Sequence, residues 1–148
     1  MRCIRDAGWR LSSSVSNFST SEAEMRKFDN TTADTYTVGD VEVARWEQYG
    51  LCDIMPFNAM WYVVPPGSST PVDRHPELEL SIVVSGCALV QGGDDSTEVT
   101  QGGAFLLESD EDHMVRNRST KHPLVIFSAY WMPGEDAPIA SEGQSAHA

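Results

Sequence analysis

Basic residues are scarce in this sequence. Ten Lys and Arg stand against 22 Asp and Glu, a net charge of −12. A surface of that sign repels phosphate backbones and anionic headgroups, which removes nucleic acid and membranes from the expected partners. Cysteine is equally thin. Cys3, Cys52 and Cys87 are an odd set without paired spacing, so they point to neither a disulfide framework nor a CxxC zinc site. They read as thiols of a reducing compartment. No stretch approaches about 18 consecutive apolar residues, and the opening M-R-C-I-R-D-A-G-W-R lacks the apolar core of a signal peptide. The expectation is a cytoplasmic protein. Also absent are a P-loop, a dinucleotide fingerprint and a nucleophilic triad pattern around Ser81 or Ser85.

What remains is enough for one core. The 148 residues are 41% hydrophobic, with four Trp, four Tyr and five Phe, which suits a single folded domain. Residues 1–35 form a polar arm in which Ser21 followed by Glu24 resembles a capping box and predicts a short helix through Met25 and Phe28. Trp9, Leu11 and Phe18 of the arm need a place to bury. From Tyr36 the pattern turns to period two. Strands are expected at 36–38, 41–46, 57–64, 79–84, 87–91, 97–100, 104–107, 113–117 and 123–131, separated by Gly-, Asp- and Asn-rich turns. Many short strands of this kind predict an all-β sandwich or barrel over 36–132. The acidic, Gly- and Ala-rich stretch 133–148 reads as a flexible tail.

Chemistry concentrates in two stretches. Asp73, His75 and Glu79 fall between Gly67 and Gly86, and His113 follows the acidic run Glu108–Asp112. If Asp73 and His75 lie on one strand, their spacing of two aims both into one cavity. Glu79 then faces back into it with Ser81 and Val83 as mates, and Leu80, Ile82 and Val84 form an opposite apolar face that needs a second sheet or subunit over it. Two imidazoles and a carboxylate suit Fe(II), Mn(II), Ni(II), Cu(II) or Zn(II) and leave coordination positions open, with Asp73 as a fourth ligand or a general base. The competing account is chance: in a chain with 22 acids, histidines acquire acidic neighbours without any metal. Substrate contacts are sought on strand 57–64, either from the set with Trp61 or from the set with Asn58 and Tyr62. The closing strand offers the same choice, with Phe127 in one of its two sets. For each aromatic, core packing is the competing role.

The spacing carries a resemblance. Gly67, five residues, Asp73, one, His75, three, Glu79, six, Gly86 resembles the first cupin motif. Gly102, five residues, Glu108, one, Asp110, two, His113, three, Asn117 resembles the second. Asp73 stands where the family has His, and Glu108 and Asp110 stand where it has Pro and Gly. The resemblance implies a jelly-roll barrel holding one divalent metal (Fe, Zn, Mn or Ni), usually in a homodimer. His75, Glu79 and His113 carry over as ligands directly, and Asp73 by position only. It further implies a metal-dependent enzyme on a small organic molecule, of oxygenase, isomerase, lyase or cyclase type or a zinc-dependent amino-acid coupling, as in bacterial specialised metabolism. The alternative within the family is a module that binds a metal or small molecule without turnover.

Overall fold

In the computed structural model, residues 24–134 are described, and the chain divides after Ala33. The Ser21 end of the proposed helix, Trp9, Leu11, Phe18, Cys3 and nearly all of the proposed tail lie outside the described residues. Within them, residues 24–29 carry no helix. Asp29 takes the Thr31 N–H on its carboxylate at 3.0 Å and turns the chain instead. One capping box cannot offset the cost of nucleating so short a helix.

Among the described residues from Asp34 onward the structure is all β, with nine strands and one 3-10 turn. The strands are β1 (Tyr36–Val38), β2 (Val41–Arg45), β3 (Asn58–Val64), β4 (Leu78–Ser85), β5 (Cys87–Gly92), β6 (Asp95–Thr100), β7 (Ala104–Leu107), β8 (His113–Asn117) and β9 (Leu124–Trp131). Every expected strand is present. They form an antiparallel six-stranded sheet, ordered β1-β2-β3-β9-β4-β7, and a three-stranded sheet, ordered β6-β5-β8. Together they make a jelly-roll barrel of the expected kind.

The core lies between the sheets. Val41, Val43, Tyr62, Val64, Val83, Phe105, Leu107, Leu124 and Ile126 come from the larger sheet, and Ala88, Val90 and Val115 from the smaller. Full burial of each large side chain stabilises by roughly 1.5–3 kcal/mol. The pairing fixes which faces look inward. Tyr62 sits opposite Ile126, and Ile126 opposite Val83; Met60 sits opposite Ser128, and Ser128 opposite Ser81; Asn58 sits opposite Tyr130, and Tyr130 opposite Glu79. Polar side chains therefore occupy the centre of an otherwise apolar inner face. At Gly86 (φ 101°), a Cβ would lie 3.2 Å from the Leu124 backbone, so glycine is what lets β4 turn into β5 against β9.

The outer face is different. Leu80, Ile82, Val84 and Leu106 are 39–50% exposed, so no described residue buries the apolar row expected to need a cover.

Candidate metal centre

Glu79 enters the site from the start of β4. It is 5% exposed, and Ser81 on the same face donates to its Oε1 at 3.2 Å. The Ser81 and Ser128 hydroxyls bond each other across β4 and β9 at 2.6 Å. Buried hydroxyls without partners would be destabilising; joined to a carboxylate they form a satisfied network.

Asp73 and His75 arrive differently. The strand that would have aimed both into one cavity by alternation is not formed: residues 65–77 are a loop with isolated bridges at Ser69–Arg116 and Asp73–His113. Pro71 explains the interruption, since it has no N–H for the ladder. The Val115 N–H is taken up by the Thr70 hydroxyl at 2.9 Å. Asp73 is nonetheless anchored. Its N–H donates to the His113 carbonyl at 3.0 Å, and the His113 N–H donates to the Asp73 carbonyl at 2.9 Å. His75 is tied to the second motif by the Asp110 N–H, which donates to its carbonyl at 2.7 Å. Asp110 adopts φ 60° to do so, the left-handed conformation that glycine adopts most easily.

Asp73, His75 and His113 each offer one donor atom, and these atoms lie within 4.8 Å of one another. Both rings are oriented the same way. His75 Nδ1 donates to the Glu77 carbonyl at 3.1 Å, and His113 Nδ1 donates to the Glu111 carbonyl at 3.0 Å. A carbonyl on Nδ1 fixes the tautomer and leaves the Nε2 lone pair for a metal, the usual arrangement behind histidine ligands. Glu79 Oε2 lies 3.2 Å from His75 Nε2, a hydrogen bond only while the ring carries both protons and a position a metal would take over from the Nε2 proton, so the fourth candidate adjoins the group. Two imidazoles and two carboxylates match a divalent ion in donor type and balance its charge.

The site's electrostatics follow from this packing. Burial pushes the Glu79 carboxyl upward, but the bond to His75, the Ser128 hydroxyl and the nearby histidine charges outweigh it and hold the group below its ordinary value. The bond to Glu79 raises His75 against the opposing effect of burial. Burial drives the Tyr62 phenol far up, the Glu79 charge adds to this, and the Ser81 and Ser128 hydroxyls oppose it, so Tyr62 stays protonated.

A cavity of about 250 Å³ opens on the centre, and Asp73, Glu79, His113, Tyr62, Met60 and Arg45 are among its lining residues. Tyr62 is thus placed where the sequence offered it. Asn58 borders a smaller hollow of about 10 Å³ with Leu51 and Phe57. Trp61 and Phe127 are corrected: they alternate onto the sheet's outer face and pack on Trp46 with ring centroids 5.0 and 5.3 Å apart. Sequence reasoning missed the support given by Ser128 and the place of Arg45. Ser128 had a legible signal, as the one small polar residue amid V-I-F-S-A-Y-W. The acidic run Glu108–Asp112 also supplies the carbonyl that orients His113.

A jelly-roll barrel with histidines and carboxylates gathered at an inner cavity defines a class of small metal-site barrels. The chain belongs to the cupin superfamily, and the cupin domain pattern matches residues 60–130. Among solved structures it is similar to a Photorhabdus luminescens protein, with a TM-score of 0.62 and 25% identity over 72% of this chain and 86% of that one. A cupin 2 conserved barrel domain protein from Salinispora arenicola aligns with TM-score 0.59 and 22% identity, over 73% and 87% of the two chains. A protein named as a predicted oxalate decarboxylase, from Thermotoga maritima, aligns with TM-score 0.63 and 15% identity, over 73% and 100%. The last two likenesses are of fold alone. No curated protein matches the sequence. Among the described residues, no helix is long and apolar enough to cross a membrane.

Proposed function

We propose that this cupin is a metal-dependent enzyme acting on a small organic molecule, with His75, His113, Glu79 and Asp73 holding one divalent ion. The observation that carries the reading is the shared anchoring of the two imidazoles. Each gives Nδ1 to a carbonyl of its own turn beside Asp73, and His113 and Asp73 line a cavity open to a ligand. Such an ion would act as a Lewis acid toward a bound carbonyl or enol, or as a redox centre if it is iron or manganese. The residues do the rest. Glu79 is pre-oriented by Ser81, and Ser81 by Ser128. Tyr62 presents a neutral phenol at the cavity wall. Asp73, exposed and joined to the Arg74 N–H at 2.8 Å through Oδ1 alone, can serve as a ligand or accept a substrate proton.

Cytoplasmic location, a role in bacterial specialised metabolism and a homodimer belong to the same proposal. A chain of net charge −12 meets its own copy most easily through an uncharged face, and Leu80, Ile82, Val84 and Leu106 provide one. The test of the metal site is elemental analysis of protein purified without chelator, beside His113→Ala. Wild type carries about one ion per chain, and the variant loses most of it while keeping the far-UV circular dichroism of the metal-free wild type. Full retention of the ion by His113→Ala would sink the assignment.

A further inference from the structure

Among the described residues, Arg45 is the only lysine or arginine lining the 250 Å³ cavity. It stands near the rim, where Tyr36 and Val38 are 44% and 41% exposed. Its Nε donates to the Tyr36 hydroxyl, and its Nη1 donates to the Tyr130 hydroxyl at 3.3 Å. Both acceptors are phenols. No carboxylate lies within salt-bridge distance of Arg45 among the described residues. Glu47 reaches it through a hydroxyl, since the Tyr130 OH donates to Glu47 Oε1 at 3.3 Å. A half-buried guanidinium held by two phenols therefore keeps unused N–H groups and most of its charge. Glu47 acts on that charge only from a distance; a partly desolvated guanidinium with no carboxylate paired directly to it is costly, and its fork matches a carboxylate.

Its position relative to the metal centre sets what such an anion must look like. Arg45 on β2 and Glu79 on β4 belong to one sheet, with β3 and β9 between them, so their backbones lie about 14 Å apart at three strand spacings. Val43, Met60, Leu107 and Val115 line the cavity as well and are apolar. The volume lies just under the roughly 300–1,000 Å³ of drug-sized ligand sites.

We propose that Arg45 is a carboxylate anchor, and that the ligand class is a small organic acid with an apolar body, its carboxylate on Arg45 and its other end toward His75 and His113. The far end of this pose rests on the metal-centre reading, whereas the anchor does not.

The experiment is calorimetric titration of benzoate and phenylacetate, each beside its neutral amide, into Zn²⁺-loaded and chelator-treated protein. Wild type, Arg45→Gln and Arg45→Lys are compared, with melting curves to confirm folding. Wild type should bind an acid at least about tenfold more tightly than its amide. Arg45→Gln should lose that preference with Zn²⁺ affinity unchanged, and Arg45→Lys should keep part of it. The proposal is overturned if Arg45→Gln keeps the full preference, if wild type binds acid and amide equally, or if it binds neither. A protein that takes up no Zn²⁺ yet binds acids through Arg45 would refute the metal reading and leave the anchor standing.

Discussion

Glu79, beside His75, and Asp73, grouped with both imidazoles, reach the site from opposite surroundings. Glu79 stands on the inner face of a central strand, 5% exposed, with His75 and Ser81 on its oxygens. Asp73 is exposed on a loop, and among the described residues the one hydrogen bond to its carboxylate comes from the next residue's N–H. Its backbone is fixed by the reciprocal bonds with His113, but its side chain is not. The site thus has a rigid half built on strands and an adjustable half built on a loop. On the proposed reading, the rigid half would define where an ion sits, and the adjustable half would suit a group that shifts between ligand and base.

The largest expected effect tests that contrast directly. Glu79→Gln should weaken Zn²⁺ binding at least about a hundredfold, because an oriented anionic donor is replaced by a neutral amide in a buried network. Asp73→Asn should cost about tenfold, since a solvated carboxylate loses less. Competition with a chromogenic chelator measures both. Equal losses, or the reverse order, would break the division between the two halves.

How much of this was readable beforehand follows the same line. The nine strands and the convergence of His75 and His113 could be read from alternation and motif spacing, because both depend on local sequence. The parity of β3 and β9 could not. Trp61 and Tyr62 are adjacent, and one residue of register exchanges them. What decides the matter is cross-strand: Ser128 must meet Ser81, which places Tyr62 inside and sends Trp61 and Phe127 out to Trp46. The loop through Asp73 hid for another reason. Pro71 breaks the ladder, yet backbone bonds on either side keep the segment against β8.

A smaller effect concerns acidity in the chelator-treated protein. Glu79 is held below its ordinary 4.5, so its stabilising contribution is present above that value and is lost as pH falls through the folded-state value. His75 is raised above 6.5, so its contribution is present below that value and is lost as pH rises through the folded-state value. Both are in force between 4.5 and 6.5. Urea midpoints from pH 3.5 to about 8.5 should therefore form a dome over that window. Glu79→Gln should flatten it. Asp73→Asn should only trim its alkaline side, since Asp73 is the last of the influences on His75. A dome unchanged in Glu79→Gln would show that the pair is not its origin.

The smallest effect separates backbone from side chain in the adjustable half. Asp110 holds φ 60° so that its N–H can reach the His75 carbonyl. A left-handed L-residue costs about 1–2 kcal/mol, less for Asp, which tolerates that region. Glycine removes the strain but costs about 0.5–1 kcal/mol through the freer unfolded chain. Asp110→Gly should thus gain about 0.5 kcal/mol in urea unfolding with Zn²⁺ affinity unchanged, because the N–H survives. Asp110→Val cannot adopt the turn without strain. It should lose about 1–2 kcal/mol, and it should also weaken Zn²⁺ binding as His75 loses its tether. If Asp110→Val lost stability but kept full Zn²⁺ affinity, His75 would be positioned by Glu79 rather than by the loop. The rigid half would then extend to three of the four candidate ligands.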